Sequence, residues 1–516
     1  MQRLTKPEEI EDARRALSEL LDARGAWFCA ERRGGASIEL RKGEWELNAS
    51  RGSLLFSFWG NGVARSWRIA AWELSGEKLL LEATRRTGSV RATLELIPRT
   101  SVAATKAIVV AARLAACQRL AALACETWPG AKVEQSRLSD GARRGEPGRY
   151  ARIILRRVRE RVAATGPVAD TAATDADAFL TSALLWFTRL AGKSRDAAMP
   201  RRLLLITPRK LCEATAVRLA LLREELRRAI SLYEVDDEAA HLAPATMPEL
   251  SELLASPAAP LFHHARAMTG ELAGRIVALA PAAIDVVRAR RGETIRFHGL
   301  AFARVRRVMG VERLWFGAGA AASKMRLLDE SNWSELAKLI TELDAHRRAE
   351  ARDHAHALYA SAPEAWLESI LRRDITRLDP GLVVSPLHAQ FRAARTAATA
   401  GGARPVDLLA LRRDGRLVVI ELKVSEDASL PLQGADYWRR ISTYHRAGHI
   451  RRARLFGEAR LSDDPPLLYL VAPLLRFHRS FHTVARCISP DIEIYRFDLN
   501  EDWRAGVRVA RRVRVA

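Results

Sequence analysis

The sequence predicts an α/β protein that opens with a β-rich domain, and three observations carry that expectation. Residues 26–98 alternate apolar and polar positions and are rich in Trp and Phe ("SLLFSFWG", "SWRIAAWEL", "VRATLELIPR"), the pattern of an antiparallel sheet. Strand-like and helical runs then alternate through 150–237, as α/β units do. Near the end, "RPVDLLALRRDGRLVVIELKV" (404–424) sets two apolar runs around an Asp-Gly pair, a strong hairpin signal.

Taken in order, the elements give four regions. Residues 1–126 form the β-rich domain, with a short helix before the sheet and another over about 101–126. The apolar run 107–125 carries Arg113 and Arg119, each costly at a bilayer centre, so it reads as a packed helix and no membrane span is expected. "WPGAKVEQSRLSDGARRGEPGR" (128–149) has the Pro, Gly, Ser and charge of a linker or exposed loop. Next come the α/β unit 150–237 and a connecting region, 238–358. That region holds an Ala/Pro-rich stretch (241–260), strands at 293–317 and a long charged helix from 333. A second α/β region, 359–516, ends the chain.

Composition narrows the function. The chain has 516 residues, 48% of them hydrophobic, enough for a large core. Its 83 Lys and Arg against 61 acids leave a formal net charge of +22, which favours polyanionic partners such as nucleic acid. Cys29, Cys117, Cys125, Cys212 and Cys487 are scattered without CxxC spacing, and the first residues lack the apolar core of a secretion signal; a reducing cytoplasm is expected. No Walker loop, G-x-S-x-G or H-E-x-x-H occurs, so ATP hydrolysis and the common hydrolase triads have no support. His346, His354 and His356, the last two on the long helix, lack a Cys or acid set at zinc spacing, as do His478 and His482. Phe56, Phe58, Trp59, Trp67 and Trp72, among Arg51, Arg65 and Arg68, either stack bases or, more commonly, fill a core. The loop 392–404, with Arg among small residues, suits either a DNA-backbone contact or a linker.

Two parts of the chain match each other. Residues 152–168 lie on 408–424 without gaps, 203–208 on 468–473, and 231–237 on 493–499, with offsets between 256 and 265. Ala151, Thr165 and Pro167 then stand where Asp407, Glu421 and Lys423 stand, and could neither bind a cation nor activate water. The expectation is an internal duplication whose first copy has lost its chemistry. Two generic α/β units are the alternative, and unrelated strand orders would favour it.

The hairpin carries the chemistry. A two-residue turn at Asp414-Gly415 pairs positions summing to about 829, which sets Asp407 near Leu422 and diagonal to Glu421 and Lys423. Glu421 and Lys423 share a face. Two carboxylates a few ångströms apart in a half-buried site repel by several kcal/mol unless a cation lies between them, and oxygen ligands suit Mg²⁺ or Mn²⁺. Downstream, Gln433 and Tyr437 share one helical face; upstream, Pro363 starts a helix on which Glu364 and Glu368 share a face, either being a third acid. Plainer roles exist: a cross-strand Asp407–Lys423 ion pair worth about 0.2–1 kcal/mol, exposed helix acids, and packing for Gln433 and Tyr437.

The ordered set of helix Glu, Pro405-Val406-Asp407, Glu421-Leu422-Lys423 and Gln433 to Tyr437 resembles the PD-(D/E)XK nuclease superfamily over about 360–500. The Gln-x-x-x-Tyr spacing is that of the branch that includes bacterial recombination nucleases. The resemblance implies a central mixed sheet flanked by helices, and a degenerate copy of it in 150–237. It also implies that Asp407, Glu421 and the main-chain carbonyl of Leu422, helped by Glu364 or Glu368, hold one or two Mg²⁺ (or Mn²⁺). The Glu-x-x-Leu pattern slightly favours Glu364, while Glu368 lies one turn deeper. The metal would polarise the scissile phosphate, and Lys423 would position water and offset charge on the phosphorane. Gln433 and Tyr437 would steady the site or hold the DNA backbone. The implied activity is Mg²⁺-dependent cleavage of DNA, ahead of RNA, in repair, recombination or defence. The rival is a non-catalytic nucleic-acid-binding or scaffold protein with a relic nuclease fold; the retained Asp407, Glu421 and Lys423 argue against decay.

Overall fold

The computed structural model describes residues 2–515 except 32–37, 51, 61–62, 86–90, 101, 142–146, 169–174, 193–198, 237–240, 256–269, 290–291, 319–324 and 392–404. The arginine-bearing loop 392–404 therefore lies outside the described residues. The protein is mixed α/β and divides into two compact units, 1–129 with 133–153 and 130–132 with 154–516. The regions expected as three separate domains from residue 150 onward thus fall almost wholly within one unit.

In the first unit an eight-stranded sheet runs in the order Ile38–Arg41, Ala26–Glu31, Arg91–Pro98, Lys78–Arg85, Val63–Ser75, Ser53–Gly60, Trp45–Ser50, with Gln2–Arg3 beside Val63–Ser75. The pairings are antiparallel, as the alternation predicts. Helix Pro7–Arg24 lays Ile10, Ala13, Leu17 and Leu21, spaced three and four apart, on this sheet. Phe56, Phe58 and Trp67 are buried in that core, which removes them as base-stacking platforms; Trp59 is exposed. Helix Val102–Glu126 is, over Ile108–Glu126, long and apolar enough to cross a membrane by length and composition, with a mean hydropathy of 1.6 and 28% of it buried. The stretch expected as a linker instead forms strand Lys132–Asp140, followed by Pro147–Arg157. Most of Lys132–Asp140 is exposed, so it lacks the apolar alternation by which strands are read.

The second unit contains two sheets of matching design. In the first lobe, strands Glu160–Thr165, Arg202–Pro208 and Ile230–Asp236 run parallel, and His241–Pro244 closes the edge antiparallel. In the C-terminal lobe, Leu417–Leu422, Leu467–Pro473 and Ile494–Leu499 run parallel, with Val509–Arg514 antiparallel at the edge. Each order continues through a preceding hairpin strand. Register agrees as well: Thr165 pairs with Leu205 as Glu421 pairs with Leu470. Leu205 pairs with Leu232, whereas Leu470 pairs with Arg496, so the last matched segment belongs two residues further along than the sequence alignment placed it. The lobes meet at an antiparallel bridge between Leu222 and Ile488, flanked by reciprocal bonds from Arg223 N–H to Cys487 O (2.9 Å) and from Ser489 N–H to Leu221 O (2.8 Å). Arg218 reinforces the contact, pairing with Asp177 of its own lobe at 2.9 Å and with buried Asp436 of the other at 3.3 Å.

Between the lobes in sequence lies a five-stranded antiparallel sheet: Ile284–Ala289, Gly292–Phe297, Leu300–Val308, Val311–Phe316 and Arg326–Leu327. The helix expected to run on from 333 stops at His346; Arg347 adopts φ −111, ψ 54 and turns its side chain inward. His354 and His356 therefore leave helical spacing: His356 stacks on His346 and His354 on Tyr359.

Candidate active site

The site is built on the hairpin of strands Val406–Leu411 and Leu417–Leu422. Their inner residues are almost fully buried, so the core fixes which face each side chain takes. The turn is not the expected two-residue one. Arg412 N–H donates to Arg416 O, and Gly415, at φ 85, takes the left-handed position of a three-residue turn. This shifts pairing by one, to Leu408 opposite Ile420, the last paired position; the register continued one step brings Asp407 to Glu421, and the two carboxyl groups interact directly. The two carboxyl groups thus share a face.

Their surroundings are spare. Asp407 Oδ2 accepts the Leu422 N–H at 2.9 Å. Glu421 Oε1 accepts from Lys423 Nζ (2.9 Å) and Gln433 Nε2 (2.7 Å), while its Oε2 is buried without a hydrogen-bond partner. Gln433 Nε2 also donates to Tyr437 Oη at 2.9 Å, so the helical pair expected from four-residue spacing reaches the hairpin acid. Tyr437 is held protonated, its pKa raised by burial and then by Glu421.

The two helix acids separate clearly. Glu368 is buried; its Oε2 accepts from Gln390 Nε2 at 2.7 Å, and the same nitrogen stands 3.5 Å from Asp407 Oδ1. Glu364 lies one turn earlier, only half-buried, and the site bonds reach Glu368 instead. The slight preference for Glu364 is thus reversed by the geometry. Two partners were missed in the sequence. Gln390 sits in left-handed backbone at φ 50, a strained conformation of the kind found at working sites. Arg296, from strand Gly292–Phe297, donates to Glu368 Oε1 (3.1 Å) and Asp285 Oδ2 (2.8 Å), and Arg372 also pairs with Asp285. An arginine between apolar neighbours in a buried strand was the available signal for it.

Burial dominates the electrostatics. It raises Glu421 well above the ordinary carboxylate range, the Asp407 charge adds to this, and Lys423 opposes it. Asp407 shifts the same way, again through burial, against the Leu422 N–H and Lys423. Burial works against the Lys423 charge, but Glu421 more than offsets it and holds the ammonium protonated. An acid with a raised folded pKa binds its proton more tightly folded than unfolded. Its stabilising contribution is therefore present at low pH and lost as pH rises above about 4.5, the ordinary Glu value, through the folded one. Glu421→Gln should consequently raise the melting temperature at pH 8 in EDTA by about 2 °C or more, with the gain vanishing near pH 4.5. Thermal unfolding at both pH values reads this; a lower melting temperature at pH 8 would show that the Lys423 pair outweighs the burial cost.

Compared with known proteins, the chain matches no family model and no curated protein. A divalent cation suits the hairpin acids, since Glu421 Oε2 is buried and unpartnered and faces a second carboxyl group. Among the described residues no three acids or histidines stand together as a ready metal cage, and Glu368 joins Asp407 through Gln390.

Proposed function

We propose that the protein is a divalent-metal-dependent nuclease of the PD-(D/E)XK kind that hydrolyses DNA phosphodiester bonds. The observation that carries this reading is the facing of Asp407 and Glu421 across one hairpin, with an unpartnered buried oxygen and an ammonium beside it. Asp407, Glu421 and the Leu422 carbonyl would hold Mg²⁺ or Mn²⁺, which when bound supplies Lewis-acid polarisation of the phosphate. Lys423 donates to oxygen as negative charge develops on the phosphorus centre. Gln433 fixes the Glu421 carboxylate from behind, and Tyr437 fixes Gln433. Arg296 and Gln390 hold Glu368, and Gln390 links it to Asp407. The first lobe, with Thr165 in the place of Glu421, is proposed as a duplicated copy that keeps the sheet and has lost the acids. The pairing of Glu368 with Arg296, and its link to Asp407 through Gln390, also suit the rival reading, a nucleic-acid-binding scaffold on a relic fold.

Purified full-length protein on supercoiled and labelled linear DNA separates them. Cleavage is expected with Mg²⁺ and none in EDTA. Glu368→Gln should slow it about 10- to 100-fold, the usual cost of losing a supporting site group, and Glu364→Gln less than about twofold. Binding without cleavage in Mg²⁺ or Mn²⁺ would leave the scaffold reading; equal effects of the two Glu variants would remove Glu368 from the site.

A further inference from the structure

Strands Leu300–Val308 and Val311–Phe316 form a hairpin that puts Val308 opposite Val311, Arg306 opposite Arg313 and Arg304 opposite Trp315. Alternation sends Val305, Leu314 and Phe316 into the core and leaves Arg304, Arg306, Val308, Val311 and Arg313 exposed on the other face. The turn is Met309-Gly310. Met309 is 99% exposed and Val311 61%, and Met309 stands at φ 51, in left-handed backbone that a side chain rarely adopts. Like charges directly opposite destabilise a strand pair, and a solvent-facing apolar tip costs solubility. Among the described residues none of the three arginines has a carboxylate partner. The acid of this hairpin, Glu312, turns to the opposite face and accepts the Leu272 N–H at 3.2 Å.

The base of the hairpin is anchored on the helix that carries Glu368. Gly299, at φ 80, comes so close to the helix Pro363–Arg373 that an added Cβ would lie 1.9 Å from Ala365 O. The strand Leu300–Val308 by itself spans about 27 Å, at roughly 3.4 Å per residue. That is the length of about 8 base pairs of duplex.

We propose that this hairpin is a duplex-DNA contact arm. Arg304, Arg306 and Arg313 grip backbone phosphates, and Met309, between Val308 and Val311, seats against sugars and base edges in a groove. The arm rests on the reading of DNA as the substrate, but its test needs no cleavage. Affinity for a 30-base-pair duplex is measured in EDTA by fluorescence anisotropy across a salt series. Arg304→Gln/Arg306→Gln/Arg313→Gln should reduce the slope of log affinity against log salt by about 2.7, at about 0.9 per phosphate contact. Arg228→Gln/Arg451→Gln/Arg454→Gln removes equal charge from exposed sites elsewhere and should leave the slope in place. Met309→Ser should weaken binding about tenfold with the slope unchanged, because the lost contact is apolar. An unchanged slope in the first variant, an equal fall in the control, or full affinity in Met309→Ser would overturn the arm, as would tighter binding of single strands or duplex RNA. Wild-type protein that binds with these signatures yet never cuts would support the arm and remove the hydrolysis instead.

Discussion

For the proposed nuclease, Lys423→Ala is expected to lower the rate of Mg²⁺-dependent cleavage about 100- to 1,000-fold at saturating DNA, the cost of removing one preorganised donor from a developing oxyanion. Lys423 Nζ lies 2.9 Å from Glu421 Oε1 and is largely buried, so its charge acts in a medium where it is weakly screened. Asp407→Asn should act differently. It removes half of the facing pair, so the variant should need far more Mg²⁺ to reach a lower maximal rate, while Lys423→Ala keeps a near-normal metal requirement. Measuring rate against Mg²⁺ concentration for both variants distinguishes a ligand from a charge stabiliser. Identical metal curves would collapse the two assigned roles into one structural effect, and unchanged rates in both would remove the mechanism.

The facing of these side chains was largely legible in the sequence, and the shortfall is instructive. Apolar runs around Asp-Gly fix a hairpin, but the pair serves both a two-residue turn and a three-residue turn with glycine in the left-handed position. The choice moves the register by one, and only the core, by demanding Leu408 against Ile420, makes it. Choosing between Glu364 and Glu368 was beyond the local pattern, because both share a helical face. The decision comes from Arg296 and Gln390, 72 and 22 residues away in sequence. The matched design of the two lobes was visible as spacing, since parallel strands of fixed register preserve it; the slip by two came where helices and loops of unlike length intervene before the last strand. Strand Lys132–Asp140 was invisible because it buries too little to leave a pattern.

Arg347→Met should be the most destabilising of these substitutions, at about 4 kcal/mol or more, because the buried guanidinium donates to five main-chain carbonyls that would lose this partner together. Its side chain is 0% exposed. Nε donates to Phe297 O (3.1 Å) and His298 O (3.2 Å), Nη1 to Leu358 O (2.6 Å) and Ser361 O (2.7 Å), and Nη2 to His298 O (3.0 Å) and Ala362 O (3.3 Å). The guanidinium also lies 4.7 Å from the centroid of Trp366. Burial, then the nearby Arg504, works against its charge, yet a guanidinium stays protonated at neutral pH and its planar fork matches this carbonyl set. These carbonyls belong to the turn after strand Gly292–Phe297 and to the entry of helix Pro363–Arg373, so Arg347 ties the middle sheet to the helix that carries Glu368. Methionine fills similar volume and donates nothing, and Arg347→Lys keeps the charge but cannot reproduce the fork, so both should lower the melting temperature, by about 4 °C or more for Met. Below its melting point Arg347→Met should also cut more slowly, in proportion to Glu368→Gln, because the entry of the Glu368 helix loses its anchor. A melting temperature within about 2 °C of wild type would mean that water or a relaxed backbone satisfies those carbonyls, and that Glu368 owes its position to Arg296 and Gln390 alone.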